Sequence, residues 1–198
     1  MPMSSTQKSK GIIVVISGPS GVGKGTICKE LVKRLDDACL SVSVTTRPRT
    51  PKEVEGKDYW FVSRDEFGRR IENGLLLEHA EVFGNFYGTP KDKVDAGVAA
   101  GKVVILEIDV QGGKQIKKLY PDTVMVFILA PTDKELAGRL RGRGRDDEET
   151  AKHRLEQASN EIAVALQDYQ YMVTNDKLDL AVSEIIGIIE TARKAKKK

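Results

Sequence analysis

Cysteine and histidine are nearly absent: Cys28, Cys39, His79 and His153 are the only ones in 198 residues, scattered without any ligand spacing. Neither a disulfide framework nor a zinc site is supported by such a pattern. Long apolar runs are missing as well. The longest, Val124 to Ala130, has seven residues, against the roughly 18 to 20 that cross a bilayer. The opening MPMSSTQKSK is polar and has no apolar stretch of the kind a secretory leader carries, so the expectation is a frayed terminus on a cytoplasmic chain. Charge of one sign is also lacking: Lys and Arg number 32 against 29 Asp and Glu, for a net +3. Five of those positive charges lie between Arg193 and Lys198, and without them the balance is −2. Composition therefore points to neither a nucleic-acid partner nor a membrane partner.

What the chain does have is 40% hydrophobic residues, enough at this length for one core and one domain. Apolar runs at Ile12 to Ser17, Lys102 to Asp109, Thr123 to Leu129 and Tyr171 to Thr174 read as buried parallel strands, each followed by a helical pattern. That alternation predicts an α/β fold, a parallel sheet wrapped by helices. Ser63 with Glu66 and Thr132 with Glu135 fit capping boxes, and Thr89 before Pro90 reads as an N-cap. Leu178 to Lys197 closes the chain as a helix with Leu180, Ile185, Ile188 and Ile189 on one side. Between Leu40 and Thr89 the pattern gives way to a small strand-rich insertion, with Gly84-Asn85 as its hairpin turn. RGRGRDDEE, from Arg141 to Glu149, is too polar to pack and reads as an arginine-rich mobile lid.

The chemistry concentrates at Gly18-Pro19-Ser20-Gly21-Val22-Gly23-Lys24, which fits the phosphate-loop pattern G-x-x-x-x-G-K between a strand and a helix. Its glycines let backbone N–H groups converge on phosphate oxygens, the helix N-terminus adds partial positive charge, and Lys24 adds a full one. Lys24 is read as exposed at the helix start, without core contacts. Gly25 follows it where many such loops carry a magnesium-binding Ser or Thr, and Thr26 comes one later. Magnesium is therefore expected through water, with Thr26 as a further candidate. Glu107 and Asp109, two apart at the end of an apolar strand, share one face beside the loop and could hold Mg²⁺ or its waters. Arg139, Arg141, Arg143, Arg145 and Arg154 crowd the lid and its flanks, a density that suits an anion.

Taken together, SGPSGVGKGT, SVSVTTRPR, EVEGKDYWFV, LEHAEVFGNFYGT, LEIDVQG, RLRGRG and TND, in this order and at these intervals, resemble the guanylate kinase family. The likeness runs from about Ile12 to the final helix. It implies a single domain over 1–198, with a core at 11–39, 90–140 and 155–198, a GMP-binding insertion at about 40–89 and a lid at about 141–154. It further implies transfer of the γ-phosphoryl group of ATP to GMP, with Mg²⁺ as cofactor, and it leaves dGMP open as an acceptor and the oligomeric state undefined. Residue by residue, the family pattern puts ATP on Gly18 to Thr26 and near Asn175. Arg47, Tyr59 and Tyr87 fall on the GMP phosphate, and Ser43, Glu78, Thr89 and Asp109 on guanine. Lys24, Arg47, Arg139, Arg143 and Arg154 fall on the transferring group. The base assignment also has a physical logic, because an ionised Glu78 can accept from both N1–H and the N2 amino group of guanine, whereas adenine offers a lone pair at N1.

The chain departs from the family where a second phosphate-binding arginine is usual, since Thr50 stands there and Arg49 is one position early. Either the loop brings Arg49 to the phosphate or that contact is missing. Two other readings of the chain compete: a non-catalytic scaffold module of the same fold, and a kinase of another nucleotide. Lys24, the arginine-rich lid and the single-domain length disfavour the first, and Glu78 with Ser43 the second.

Overall fold

The computed structural model describes residues 11–141 and 148–196; side chains at 133, 139–141 and 148–155 fall outside that description. In chain order its first half comprises β1 (Ile12–Ser17), α1 (Lys24–Arg34), β2 (Ala38–Ser41), β3 (Val44–Thr45), β4 (Trp60–Phe61), α2 (Arg64–Glu72), β5 (Leu76–Val82) and β6 (Asn85–Pro90). The second half comprises α3 (Lys91–Ala99), β7 (Val103–Glu107), α4 (Val110–Leu119), β8 (Val124–Leu129), α5 (Asp133–Arg141), α6 (Glu148–Asp168), β9 (Tyr171–Thr174) and α7 (Leu178–Lys196).

Five strands form a parallel sheet in the order β2-β7-β1-β8-β9. Because successive strand side chains point to opposite faces, the continuous apolar run of β1 divides between two cores. Ile12, Val14 and Ile16 pack with Ile27 and Leu31 of α1 and with Val182, Ile185 and Ile189 of α7. Ile13 and Val15 pack on the other side with Val94 of α3, Ile116 of α4, and Ala165 with Tyr169 at the end of α6. The result is three layers with the carboxyl end of β1 at the centre of one sheet edge, where parallel sheets bind their ligands. A second, mixed sheet has the order β4-β3-β6-β5.

The capping expectations at Ser63 and Thr132 hold: the N–H groups of Glu66 and Glu135 donate to their hydroxyls, each at 3.1 Å. Other expectations are corrected. Thr89 does not cap α3; Pro90 occupies the N-cap position, because the Thr89 hydroxyl donates instead to Glu78 at 2.6 Å. The hairpin turn is Phe83-Gly84, one position earlier than expected, with φ of 49° and 73° and Val82 facing Asn85. Two positive φ values in succession fit the two-residue turn whose twist matches antiparallel strands. β7 ends at Glu107 and does not run on to Asp109, which leaves the strand to cap α4 and accepts from the N–H of Gly112 at 2.9 Å. Leu180 is 66% exposed, and the buried face of α7 is Ala181, Val182, Ile185 and Ile189, with Ile188 at its margin. β2, whose residues ACLS carry no clear period, is an edge strand paired with β7. The lid expectation for Arg141 to Glu149 lies largely outside the described residues.

Candidate functional site

The loop from Gly18 to Gly23 links the buried β1 to α1, and Lys24 opens that helix. Gly23 has φ of 99°, and a side chain there would press on Asn175, whose Nδ2 donates to the Val22 carbonyl at 2.8 Å. Asn175 therefore holds the loop from behind, at the end of β9, rather than at the wall of the cleft. The exposed Lys24 of the sequence reading is corrected: it is part-buried, and though it makes no core contact its Nζ donates to the loop carbonyls of Gly18 at 2.5 Å and Pro19 at 3.1 Å. An ammonium has three donors and no acceptor, and the backbone oxygens of its own loop take two of them. The residue just before the loop, Ser17 at the end of β1, is anchored too. Tyr169 donates to Ser17 Oγ at 2.6 Å, and Ser17 Oγ donates to the Ile108 carbonyl at 2.8 Å, a buried relay that joins the end of α6 to β1 and to the segment carrying Asp109.

In front of the loop lies a cleft of about 760 Å³, within the range of small-molecule sites. Its walls bring together residues far apart in sequence: Lys24 and Thr26 from one side, Ser43, Arg47, Tyr59, Glu78 and Tyr87 from the mixed sheet, and Glu107 with Asp109 between them. Pro19, Val22, Arg49, Thr89 and Asn175 are not part of the wall. Arg49 is exposed, and Val22 is wholly buried in the core.

Glu78 is 4% exposed, yet its carboxylate reaches the cleft. Burial, with Asp109 nearby adding to it, pushes its pKa up to about 7 even though Thr89 donates to it. Glycine at 112 makes this approach possible, because a side chain there would overlap the Glu78 carboxylate. Asp109 is likewise raised by burial, against the lowering effect of its hydrogen bonds from Gly112 and Gln111. Two carboxyl groups thus sit at the base of the pocket with weakened acidity, a setting in which a ligand offering adjacent N–H donors is favoured.

Arg47, also on the cleft wall, is held in place. Its guanidinium lies 5.3 Å from the centre of the Tyr59 ring and 5.8 Å from that of Phe61. Tyr59 meets Tyr87 edge to face at 5.9 Å, and burial pushes its hydroxyl up to about 12. Glu53, which sequence reasoning did not single out, grips Arg47 end-on at 2.5 and 3.1 Å. Helix α6 adds Gln157, Ala158 and Glu161, also missed. Glu161 is raised to about 7 by burial. The seven-residue step from Arg154 to Glu161 puts the two on one helix face, a signal the sequence did offer. Arg139, Arg143 and Arg154 lie outside the described side chains.

For magnesium, the donor set is sparse. Among the described residues no group of three or more His, Cys, Asp or Glu side chains could hold an ion. The Glu107 carboxylate stands 3.5 Å from the point where a side chain on Gly25 would begin, and Thr26 lies on the adjoining wall.

Comparison with known proteins agrees with this geometry. The family model described as Guanylate kinase matches residues 10–192. Guanylate kinase of Lactococcus lactis subsp. lactis is 48% identical over 183 residues, 92% of this chain and 89% of that one. Guanylate kinase of Carboxydothermus hydrogenoformans is 47% identical over 189 residues, 96% of this chain and 92% of its own. The crystal structure of guanylate kinase from Anaplasma phagocytophilum matches with a TM-score of 0.79 at 36% identity, covering 94% of this chain and 88% of that one. The SH3-kinase fragment of tight junction protein 3 matches at 10% identity with a TM-score of 0.50, which is a likeness of fold alone.

Proposed function

The chain belongs to the guanylate kinase family and is an ATP-dependent GMP kinase, and from that premise we propose how its cleft divides the work. ATP phosphates rest on the backbone donors of Gly18 to Thr26 and on Lys24, whose ammonium leaves its own loop carbonyls for them. GMP lies against the mixed sheet, its phosphate on Arg47, Tyr59 and Tyr87 and its base on Ser43, Glu78 and Asp109. Thr89 acts behind Glu78, orienting the carboxylate that it donates to. The observation that carries the reading is Glu78, a buried acid facing the cleft, whose two oxygens suit the paired N–H donors of guanine.

An oxygen of the GMP phosphate attacks the γ-phosphorus of ATP, the bond to the bridging oxygen breaks, and ADP and GDP leave. This chemistry asks the protein mainly for alignment and positive charge. Mg²⁺ would be held mainly by substrate phosphates and waters, with Glu107 and Asp109 reaching it through water and Thr26 nearby; when bound it would supply positive charge on the phosphate oxygens. Arg139, Arg143 and Arg154 are assigned to the transferring group by family likeness. Neither a nucleic acid nor a membrane enters the reading. Among the described residues no helix is long and apolar enough to cross a membrane, and we place the activity with its nucleotide substrates in the cytoplasm.

Closure of the insertion at about 40–89 and the lid at about 141–154 over the core would expel water from the reacting groups. Small-angle scattering should show compaction when GMP and a non-hydrolysable ATP analogue are added together, and an unchanged profile would count against closure. A coupled assay of ADP release with GMP, AMP, CMP and UMP tests the base assignment. Selective turnover of GMP supports it, and comparable rates with AMP would remove Glu78 from the base site.

A further inference from the structure

The loop that departs from the family pattern holds a second arrangement beside the phosphate site. Glu53 is saturated: Oε1 accepts from Arg47 Nη2, while Oε2 accepts from Arg47 Nη1 at 3.1 Å and from both the N–H and the hydroxyl of Thr50 at 2.8 Å. Arg47 in turn spends its remaining Nη1 proton on the Pro48 carbonyl at 2.9 Å. A guanidinium has five N–H donors; the bonds to Glu53 and Pro48 use three, which leaves the Nε–Nη2 edge for Tyr87, a further hydrogen-bond partner of Arg47, and for a ligand. That edge is itself a fork of the kind that takes a carboxylate or phosphate with two parallel hydrogen bonds. Arg47 and Glu53 both line the cleft, as do Tyr59 and Tyr87.

We propose that Glu53, clamped by Thr50, is a positioning residue of the GMP phosphate site, holding Arg47 so that its Nε–Nη2 edge, beside the phenol of Tyr87, faces the phosphate. The inference rests on the assignment of Arg47 to that phosphate and adds the residues that aim it. It also gives Thr50 a use: where relatives place a second arginine, this chain fixes its single guanidinium more firmly. A competing effect has the opposite sign, since Glu53 is an anion near an anionic ligand. Its charge is spread over four hydrogen bonds, from Arg47 and Thr50, and this damps the repulsion. Freed of Glu53, the long Arg47 side chain would lose its fixed direction. The low pKa of Glu53, about 2, keeps the clamp ionised throughout the working pH range.

The test is calorimetric binding of GMP and of guanosine to the whole protein, with KM values for both substrates. Guanosine carries the base without the phosphate, so the comparison isolates the phosphate site. Glu53→Gln should weaken GMP about tenfold, while guanosine affinity and the KM for ATP stay within about twofold. Glu53→Asp should recover part of the loss. Thr50→Val, which removes only the hydroxyl, should weaken GMP about threefold, with Thr50→Ser restoring it. It serves as the second probe if Glu53→Gln fails to fold. Unchanged or tighter GMP binding in Glu53→Gln overturns the proposal, as does a parallel loss of guanosine. Arg47→Ala separates the two layers: a loss of GMP affinity there without one in Glu53→Gln sinks only the clamp, whereas unchanged GMP binding in Arg47→Ala removes Arg47 from the phosphate site altogether.

Discussion

The two sheets build their halves of the cleft in different ways. On the side we assign to ATP the proposed binding groups are mainly backbone N–H donors on a glycine-rich loop, fixed because β1 is buried on both faces and α1 packs beneath it. On the GMP side the binding groups we propose are side chains, and two of them are aimed by another side chain: Glu78 by Thr89, and Arg47 by Glu53. A backbone site is held by the core and tolerates little change of conformation. A side-chain site is held by its partners, so its specificity can be retuned without disturbing the fold. If this contrast is sound, substitutions on the two sides should fail in different ways.

The largest effect is expected on the ATP side. Lys24→Ala removes the one full positive charge of the phosphate loop and two hydrogen bonds to its backbone. Turnover should fall about a thousandfold or more, the scale of losing one preorganised group at the developing charge. Thermal stability should drop only slightly, since the ammonium is part-buried and outside both cores. Near-normal turnover would break the assignment of this side.

On the GMP side Glu78→Gln keeps the size and the acceptor for Thr89 but turns an NH₂ group toward a guanine donor. The cost should be about 2 to 4 kcal/mol in kcat/KM for GMP, with the KM for ATP nearly unchanged. Equal losses for both substrates would mean that Glu78 supports the fold and would dissolve the contrast. The pH profile sharpens it. With a pKa near 7, Glu78 must lose its proton to accept twice, so wild-type kcat/KM for GMP should fall about tenfold per pH unit below that value. Glu161→Gln should keep the slope, and Glu78→Gln should lack it.

Much of this was legible in the sequence on the ATP side and less on the other, for a physical reason. A phosphate loop is a local object: glycine spacing, a preceding apolar strand and a following helix lie within about twenty residues. The parallel strands were equally visible as continuous apolar runs, except β2, whose four residues carry no period. The GMP side is assembled from pairs that spacing does not reveal. Thr89 looked like a helix cap because a proline follows it, and only its antiparallel strand brings it to Glu78. Asp109 looked like a strand residue sharing a face with Glu107, and its capping of α4 depends on where the chain turns. Arg47, Tyr59 and Tyr87 came from family likeness. Glu53 was passed over because nothing in a single sequence marks a carboxylate that will be spent on a neighbouring arginine.

Glu78 should also separate stability from activity, by a margin of about 3 kcal/mol at most. Its folded pKa lies above its ordinary value of 4.5, so the folded state keeps a proton that the unfolded chain releases. The contribution to stability is therefore full below about pH 4.5 and is lost as the pH rises through about 7. Urea unfolding at pH 8 should show Glu78→Gln more stable than the wild type, and the difference should vanish near pH 4. A variant less stable at pH 8 would indicate that the buried carboxylate is held by partners stronger than Thr89, and the idea of a strained side-chain site would fail.

The smallest effect tests whether the two sides are independent. Tyr169→Phe removes the hydroxyl that donates to Ser17 but keeps the ring against Phe127, where the two meet edge to face at 5.6 Å. Ser17 still donates to the Ile108 carbonyl, so the loss should be about 1 kcal/mol, or some 2 to 4 °C in Tm for a domain of this size. Because Ser17 directly precedes the phosphate loop, the KM for ATP should rise a few-fold. The KM for GMP should not move, since Ser17 keeps its contacts with the Ile108 and Asp109 carbonyls and neither the Thr89–Glu78 nor the Glu53–Arg47 pair shares an atom with the relay. A rise in the KM for GMP instead would show that the end of α6 controls the segment carrying Asp109 more than it controls the loop, and that the two halves of the cleft are built as one.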